Sequence, residues 1–228
     1  MDIQPIAYFS SPFTSKFGIP RQSGVVEQLP GRIVMAPDYC WPEGLRGLEE
    51  YDYLWIVWGF SEHVEVAKHP TVRPPLLGGN ERVGVWATRS SFRPNNLGLS
   101  SVRIVAVNPA VPCIDVMGAD LMDGTPIYDI KPYLPYVDSH PEARGGFTDR
   151  HQWQRLHVVM PSELADRLPP EDAKTLTEVL ALDPRPHYHA DEQRVYGMPF
   201  MGWEVRFQVA NNQLRVVDLV KMIGDRSK

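Results

Sequence analysis

Apolar and polar positions along the first half of the chain fall into short runs punctuated by proline and glycine. Residues 53–60 (YLWIVWGF) are apolar on both faces, a pattern that predicts an inner strand. Residues 3–9, 83–88 and 102–107 predict three further strands, and 113–117 alternates towards a turn at Gly118. Five short strands with Gly/Pro turns and little helix predict a mainly β fold, a barrel or a sandwich, and the length favours a closed or nearly closed sheet.

The tail has a different pattern. Pro161-Ser162-Glu163-Leu164 offers a serine N-cap for a short turn. Pro170-Glu171-Asp172 opens a second helix with proline early and acids in its first turn. Ala173, Leu176, Val179 and Leu180 share one helical face, and Asp183-Pro184-Arg185-Pro186 ends the element. Trp203, Val205, Phe207 and Val209 alternate with polar residues as in a one-sided strand. Asn211-Asn212 suits the positive φ of a tight turn, so residues 214–219 should return as the hairpin partner. The expected organisation is therefore a β-rich domain, barrel or sandwich, over residues 1–140 and a small α+β domain over 141–228. The join falls between residues 138 and 151, where Gly145-Gly146 gives flexibility.

Composition narrows the classes. With 43% apolar and 22% charged residues, the 228-residue chain is ordinary globular protein, which excludes general disorder. Its 22 prolines, roughly twice the average frequency, argue against a helical bundle. A net charge of −5 gives no whole-molecule signal for nucleic acid or membrane. The charge is uneven, however: residues 71–103 carry Arg73, Arg82, Arg89, Arg93 and Arg103 against a single acid, Glu81. Two cysteines, Cys40 and Cys113, fit no disulfide scaffold or zinc pattern and read as reduced thiols. No apolar stretch is long enough to span a bilayer and no signal peptide is visible, so a cytoplasmic location is expected.

Three segments carry candidate chemistry. In residues 71–101, arginine recurs beside proline or glycine. Proline fixes the backbone, glycine permits close approach, and arginine offers a planar fork for phosphate, carboxylate or a base edge. Residues 119–136 hold Asp120, Asp123, Asp129 and Lys131 among stiff turns. The Asp123 carboxylate either holds the Asp123-Gly124-Thr125-Pro126 turn or serves as a proton acceptor. Pro20-Arg21-Gln22-Ser23-Gly24 adds donors and exposed backbone. Trp55, Trp58 and Phe60 read as core, whereas Trp86 and Phe92 are set apart from them, and Phe92, between Ser91 and Arg93, would be able to stack a base if exposed. His187-Tyr188-His189 lacks a third ligand at a plausible spacing, so no metal is expected. The absence of GxGxxG, P-loop and GxSxG patterns excludes a Rossmann crevice and a nucleophile elbow. These residues alone define a β-rich protein with an arginine-lined anionic site.

Five motifs go further: PRQSG, RGLEEYDYLW, TVRPPLLGGNERVGVWATRSSFRPNNLGLS, DLMDGTPIYDIKPYLPY and LALDPRPHY. In this order, from about residue 6 to 188, the chain closely resembles the TsaA-like (TrmO-type) family. The resemblance implies an S-adenosylmethionine-dependent tRNA methyltransferase acting on N6 of N6-threonylcarbamoyladenosine at position 37, beside the anticodon. It also implies a β-barrel with a small C-terminal domain, and a homodimer with the cofactor near the subunit interface. Matched motif by motif, the cofactor contacts would be Gln22, Ser23, Gly24, Ser61, Glu62, Arg89, Ser101, Ala119, Asp120, Leu121 and Met122. The chain departs from the family twice: FRPNNLG stands where FRPNPIG is frequent, and Ser61-Glu62 stands where His-Gln is frequent.

For the chemistry, Asp123 is the candidate base or its orienter. Arg89, and secondarily Arg93, is the candidate partner for a cofactor or substrate carboxylate. Arg73, Arg93 and Lys131 are candidates for anticodon-loop phosphates, and Tyr133 for stacking a splayed base. Two alternatives stay open: a methyltransferase of the same fold with another substrate, and a non-catalytic module that binds S-adenosylmethionine or RNA.

Overall fold

The structure, a computed structural model, describes residues 2–61, 69–151, 153–185 and 191–222. In chain order the strands and helices are β1 (Ala7–Ser10), β2 (Pro30–Met35), β3 (Tyr53–Gly59), β4 (Thr71–Val72), β5 (Val83–Gly84), β6 (Leu97–Asn108), β7 (Cys113–Met117), β8 (Pro126–Pro132), α1 (Pro135–Asp138), α2 (Phe147–Arg150), β9 (His157–Val159), α3 (Ser162–Ala165), α4 (Pro170–Ala181), β10 (Tyr196–Phe200), β11 (Trp203–Ala210) and β12 (Gln213–Lys221). They form two compact units. One comprises Met1–Ser10, Arg32–Met117 and Gly124–Trp153; the other comprises Ser11–Gly31, Gly118–Asp123 and Gln154–Lys228.

The first unit is a closed barrel of order β1-β2-β7-β6-β3-β8. Closure follows because the short β1 pairs antiparallel with both β2 and β8, leaving no sheet edge. In β3, Leu54, Ile56 and Trp58 fill the interior, while Tyr53 faces water and Trp55 and Val57 are half-buried. The strand is therefore flanked on both sides, by β6 and β8, but buried fully on one face only. The long β6 serves both β3 and β7, with a register shift between Ile104 and Ala106 that bends it around the barrel.

Three local expectations need correction. Residues 83–88 do not form one strand: β5 stops at Gly84, and Val85–Ala87 is a 3-10 turn. Burial of Val85 and the Thr88 hydroxyl, which donates to the Val85 carbonyl at 2.9 Å, outweigh the alternating pattern. The sequence pattern places no strand at β2 or β8, yet both form; each begins with proline, and an initial proline costs no interior ladder bond. Ser162 does not cap α3: Pro161 holds the cap position, and Ser162 is the first helical residue.

The second unit is a sheet of order β10-β11-β12-β9, with β9 parallel to β12. The β11–β12 hairpin turns at Asn211 and Asn212, with φ of 50° and 60°, as their side chains allow. Helix α4 buries Thr175, Leu176, Val179 and Leu180. The same apolar core takes Phe13, Val26 and Leu29 from far earlier in the chain. Phe13 packs edge-on against Phe200, with ring centroids 5.7 Å apart. Gly18, at φ +90°, leaves no room for a Cβ beside Met198.

Candidate functional site

Within the second unit, two expected cofactor segments lie together although nearly a hundred residues separate them. The Gly24 amide donates to the Gly118 carbonyl at 2.8 Å, and the Gly118 amide donates to the Leu29 carbonyl at 2.8 Å. Both glycines need their positive φ, 79° and 81°, and a Cβ on Gly118 would lie 3.5 Å from the Gly24 nitrogen. The space where Gly24 would carry a Cβ is open to 4 Å. Gln22 and Ser23 beside it are half-buried, and Gln22 Nε2 donates to the Arg21 carbonyl at 2.5 Å.

Residues 119–122 continue from Gly118. Ala119 and Leu121 are 3% and 1% exposed, and among the described residues neither main chain has a hydrogen-bond partner. Buried amide and carbonyl groups are normally satisfied, so this strip offers donors and acceptors to a ligand with both, such as a purine edge. Asp120 and Met122 are half-buried. Asp123 is exposed; its amide donates to the Phe13 carbonyl at 2.8 Å, and its Oδ1 accepts the Ser11 amide at 2.9 Å.

A third motif also belongs to this unit. Asp183, at φ 53°, accepts two hydrogen bonds from the Arg185 guanidinium, at 2.8 and 2.9 Å. This pairing raises the Arg185 pKa further above its ordinary value. Arg21 is lowered by burial, which the Asp183 charge opposes. His187 and His189 lie outside the described residues.

In the barrel unit, the basic segment leaves β3 and returns to β6 at one point. Gly59 pairs with Leu97, and the Phe60 amide donates to the Asn96 carbonyl at 2.9 Å. Trp58 underpins this end: its buried indole N–H donates to Ser100 Oγ at 3.0 Å, and its ring lies against Gly98, where no Cβ would fit. Ser61 is exposed at the start of the excursion, and Glu62 lies outside the described residues. Arg73 and Arg89 are exposed. Arg93 is turned onto its own loop, with Nη1 donating to the carbonyls of Thr88 (2.8 Å) and Ser90 (3.4 Å).

Across the outer barrel face, Ser101, Trp55 and Lys131 pair in one row of β6, β3 and β8. Lys131 Nζ lies 2.7 Å from the Asp129 carboxylate. Tyr133 packs on Trp55 and Tyr53, at centroid distances of 5.6 and 6.1 Å. Trp55 is tied in turn through its Nε1, which donates to Asp138 at 3.0 Å. Each unit thus gathers part of the expected set: Gln22–Gly24 with Ala119–Asp123 in one, Ser101 with Lys131 and Tyr133 in the other. The motifs did not point to the partnership of Asp183 with Arg21 and Arg185; Trp86, which the sequence sets apart from the core aromatics, is exposed. The LDPRP spacing was a usable signal for that partnership.

A closed barrel with an arginine-rich excursion, joined in one chain to an α+β unit, defines a class of barrel proteins that do not use a Rossmann sheet. Residues 8–139 match the tRNA-methyltransferase O N-terminal domain, and residues 154–222 match the TrmO C-terminal domain. The chain belongs to the tRNA-methyltransferase O (TrmO) family. It is 36% identical over 226 residues to the tRNA (adenine(37)-N6)-methyltransferase of Escherichia coli, covering 95% of this chain and 96% of that one. An Eikenella corrodens protein of the same name is 42% identical over 176 residues, 76% of this chain and 99% of the relative. The solved TrmO of Pseudomonas aeruginosa superposes with a TM-score of 0.79 at 30% identity, covering 96% of this chain and 98% of the other.

Proposed function

We propose that this chain is a tRNA methyltransferase that uses S-adenosylmethionine to methylate N6 of adenine 37. We take the substrate to be the N6-threonylcarbamoyl form, within the anticodon loop. The match of both family domains, with relatives named for this reaction over nearly the full chain, carries the reading. The residues fit the cofactor: a glycine cradle at Gly24 and Gly118 stands beside buried Ala119 and Leu121, whose main chains have no hydrogen-bond partner among the described residues.

When bound, S-adenosylmethionine supplies an electrophilic methyl group carried on a sulfonium. Gln22, Ser23, Gly24 and Ala119–Met122 would hold it. Assignment of Ser61, Glu62, Arg89 and Ser101 to the same task rests on their motifs. The chain's own contribution is alignment and proton transfer. The substrate N6 has a delocalised lone pair and must lose a proton, and Asp123 is the residue assigned to accept it. Its tether to the Ser11 amide holds the carboxylate in one orientation while leaving the residue exposed. Arg89 would pair with a carboxylate of cofactor or substrate; Arg73, Arg93 and Lys131 would face phosphates, and Tyr133 a splayed base. The working form is a cytoplasmic homodimer with the cofactor near the subunit interface.

Nucleoside mass spectrometry tests this reading. Purified protein and S-adenosylmethionine are incubated with two tRNA pools, one carrying the threonylcarbamoyl group and one lacking it. A methyl gain confined to the modified pool is expected. Cofactor bound but intact in both pools would replace the enzyme reading with a binding module.

A further inference from the structure

Trp86 stands on the Val85–Ala87 turn and is 71% exposed. Its placement is fixed from below. Val85 is buried, and the Thr88 hydroxyl closes the turn onto the Val85 carbonyl. Arg93, held by the carbonyls of Thr88 and Ser90, brings its guanidinium to 5.7 Å from the indole centroid. Phe92, beside Arg93, is 51% exposed. A large ring is thus held out in water, with a cation against it, by a turn that buries its neighbour.

Such a surface suits a flat partner with a π-face. The surrounding charge suits an anionic one, since residues 71–103 carry five arginines and one acid. Flatness and negative charge combine in single-stranded nucleic acid, whose unstacked bases lie on aromatic rings while basic side chains meet the phosphates. A duplex lacks such free bases. We propose that Trp86 is a stacking platform for an unpaired nucleobase of the RNA substrate, and so a positioning residue for the methylated nucleotide or its neighbour. The inference rests on the proposed tRNA reaction.

The molecule contains its own control. Trp41 is also well exposed, but it packs edge-on with Tyr39 at 5.4 Å and lies in a segment containing Asp38, Glu43, Glu49 and Glu50. Its acidic surroundings disfavour RNA.

The test is binding of a labelled anticodon stem–loop RNA, followed by fluorescence anisotropy, with Trp86→Ala, Trp86→Phe and Trp41→Ala. S-adenosylhomocysteine titration and sedimentation accompany each variant. Trp86→Ala should weaken stem–loop binding about 5- to 150-fold, the range of one lost base stack. Trp86→Phe should restore most of it, and Trp41→Ala should match the wild type. Binding of a plain duplex and of S-adenosylhomocysteine should stay unchanged, and in turnover the loss should fall on KM for tRNA rather than on kcat. Unchanged stem–loop binding in Trp86→Ala, with the wild type active, overturns this inference alone. So does a loss that merely tracks a change in self-association, which would assign the ring to a contact between copies. A wild type that binds no stem–loop and methylates no tRNA overturns the proposed function and this inference with it.

Discussion

The Gly24 amide reaches the Gly118 carbonyl at 2.8 Å, which joins the PRQSG loop to the GADLMD segment. Each glycine sits at a positive φ, so the junction depends on residues without a Cβ. Gly118→Ala should therefore cost about 1–2 kcal/mol of stability from left-handed backbone strain. A lower urea midpoint with an unchanged slope would register that cost. S-adenosylhomocysteine binding should weaken alongside it, because the adjacent Ala119–Met122 main chain loses its position.

Asp123 has two candidate tasks, and one substitution separates them. Asn in its place keeps an oxygen for the Ser11 amide but loses basicity. Asp123→Asn should fold normally and bind cofactor normally, while single-turnover methylation falls about 10²- to 10⁴-fold. Full methylation rates would leave the carboxylate with the turn alone.

Trp58 and Ser100 form a buried hydrogen bond of 3.0 Å at the barrel end from which the basic segment departs. Ser100→Ala would strand the indole N–H in the interior, at a cost of about 1–3 kcal/mol. Gly98→Ala should be worse, since its methyl group has no place beside the Trp58 ring. Thermal unfolding should rank wild type above Ser100→Ala, and Ser100→Ala above Gly98→Ala.

Phosphate contacts release counterions, so tRNA affinity should fall linearly as log salt rises. If Arg73 and Lys131 each meet a phosphate, replacing either with Gln should reduce the slope by about one. Lys131 should show the smaller loss of affinity, because it already lies against Asp129. Equal slopes across wild type and both variants would remove these residues from the RNA contacts.

Local pattern determined much of this protein. The YLWIVWGF run became β3, the Pro-led acidic start became α4, and Asn211-Asn212 became the hairpin turn between β11 and β12. Each is set by residues within a few positions, where periodicity and backbone preference act directly. The motifs also pointed to the family, and the mainly β class followed from proline, glycine and short strands. Tertiary structure decided the rest. The Pro-led β2 and β8 are strands only because the barrel supplies partners on both sides. Burial of Val85 turned a strand-like run into the turn that holds Trp86 out to solvent. Ser11–Gly31 and Gly118–Asp123 belong to the same unit as the C-terminal sheet, and the first of them adds Phe13, Val26 and Leu29 to its core; no linear reading gives this, because the hydrogen bonds and apolar contacts that place them come from partners distant in sequence.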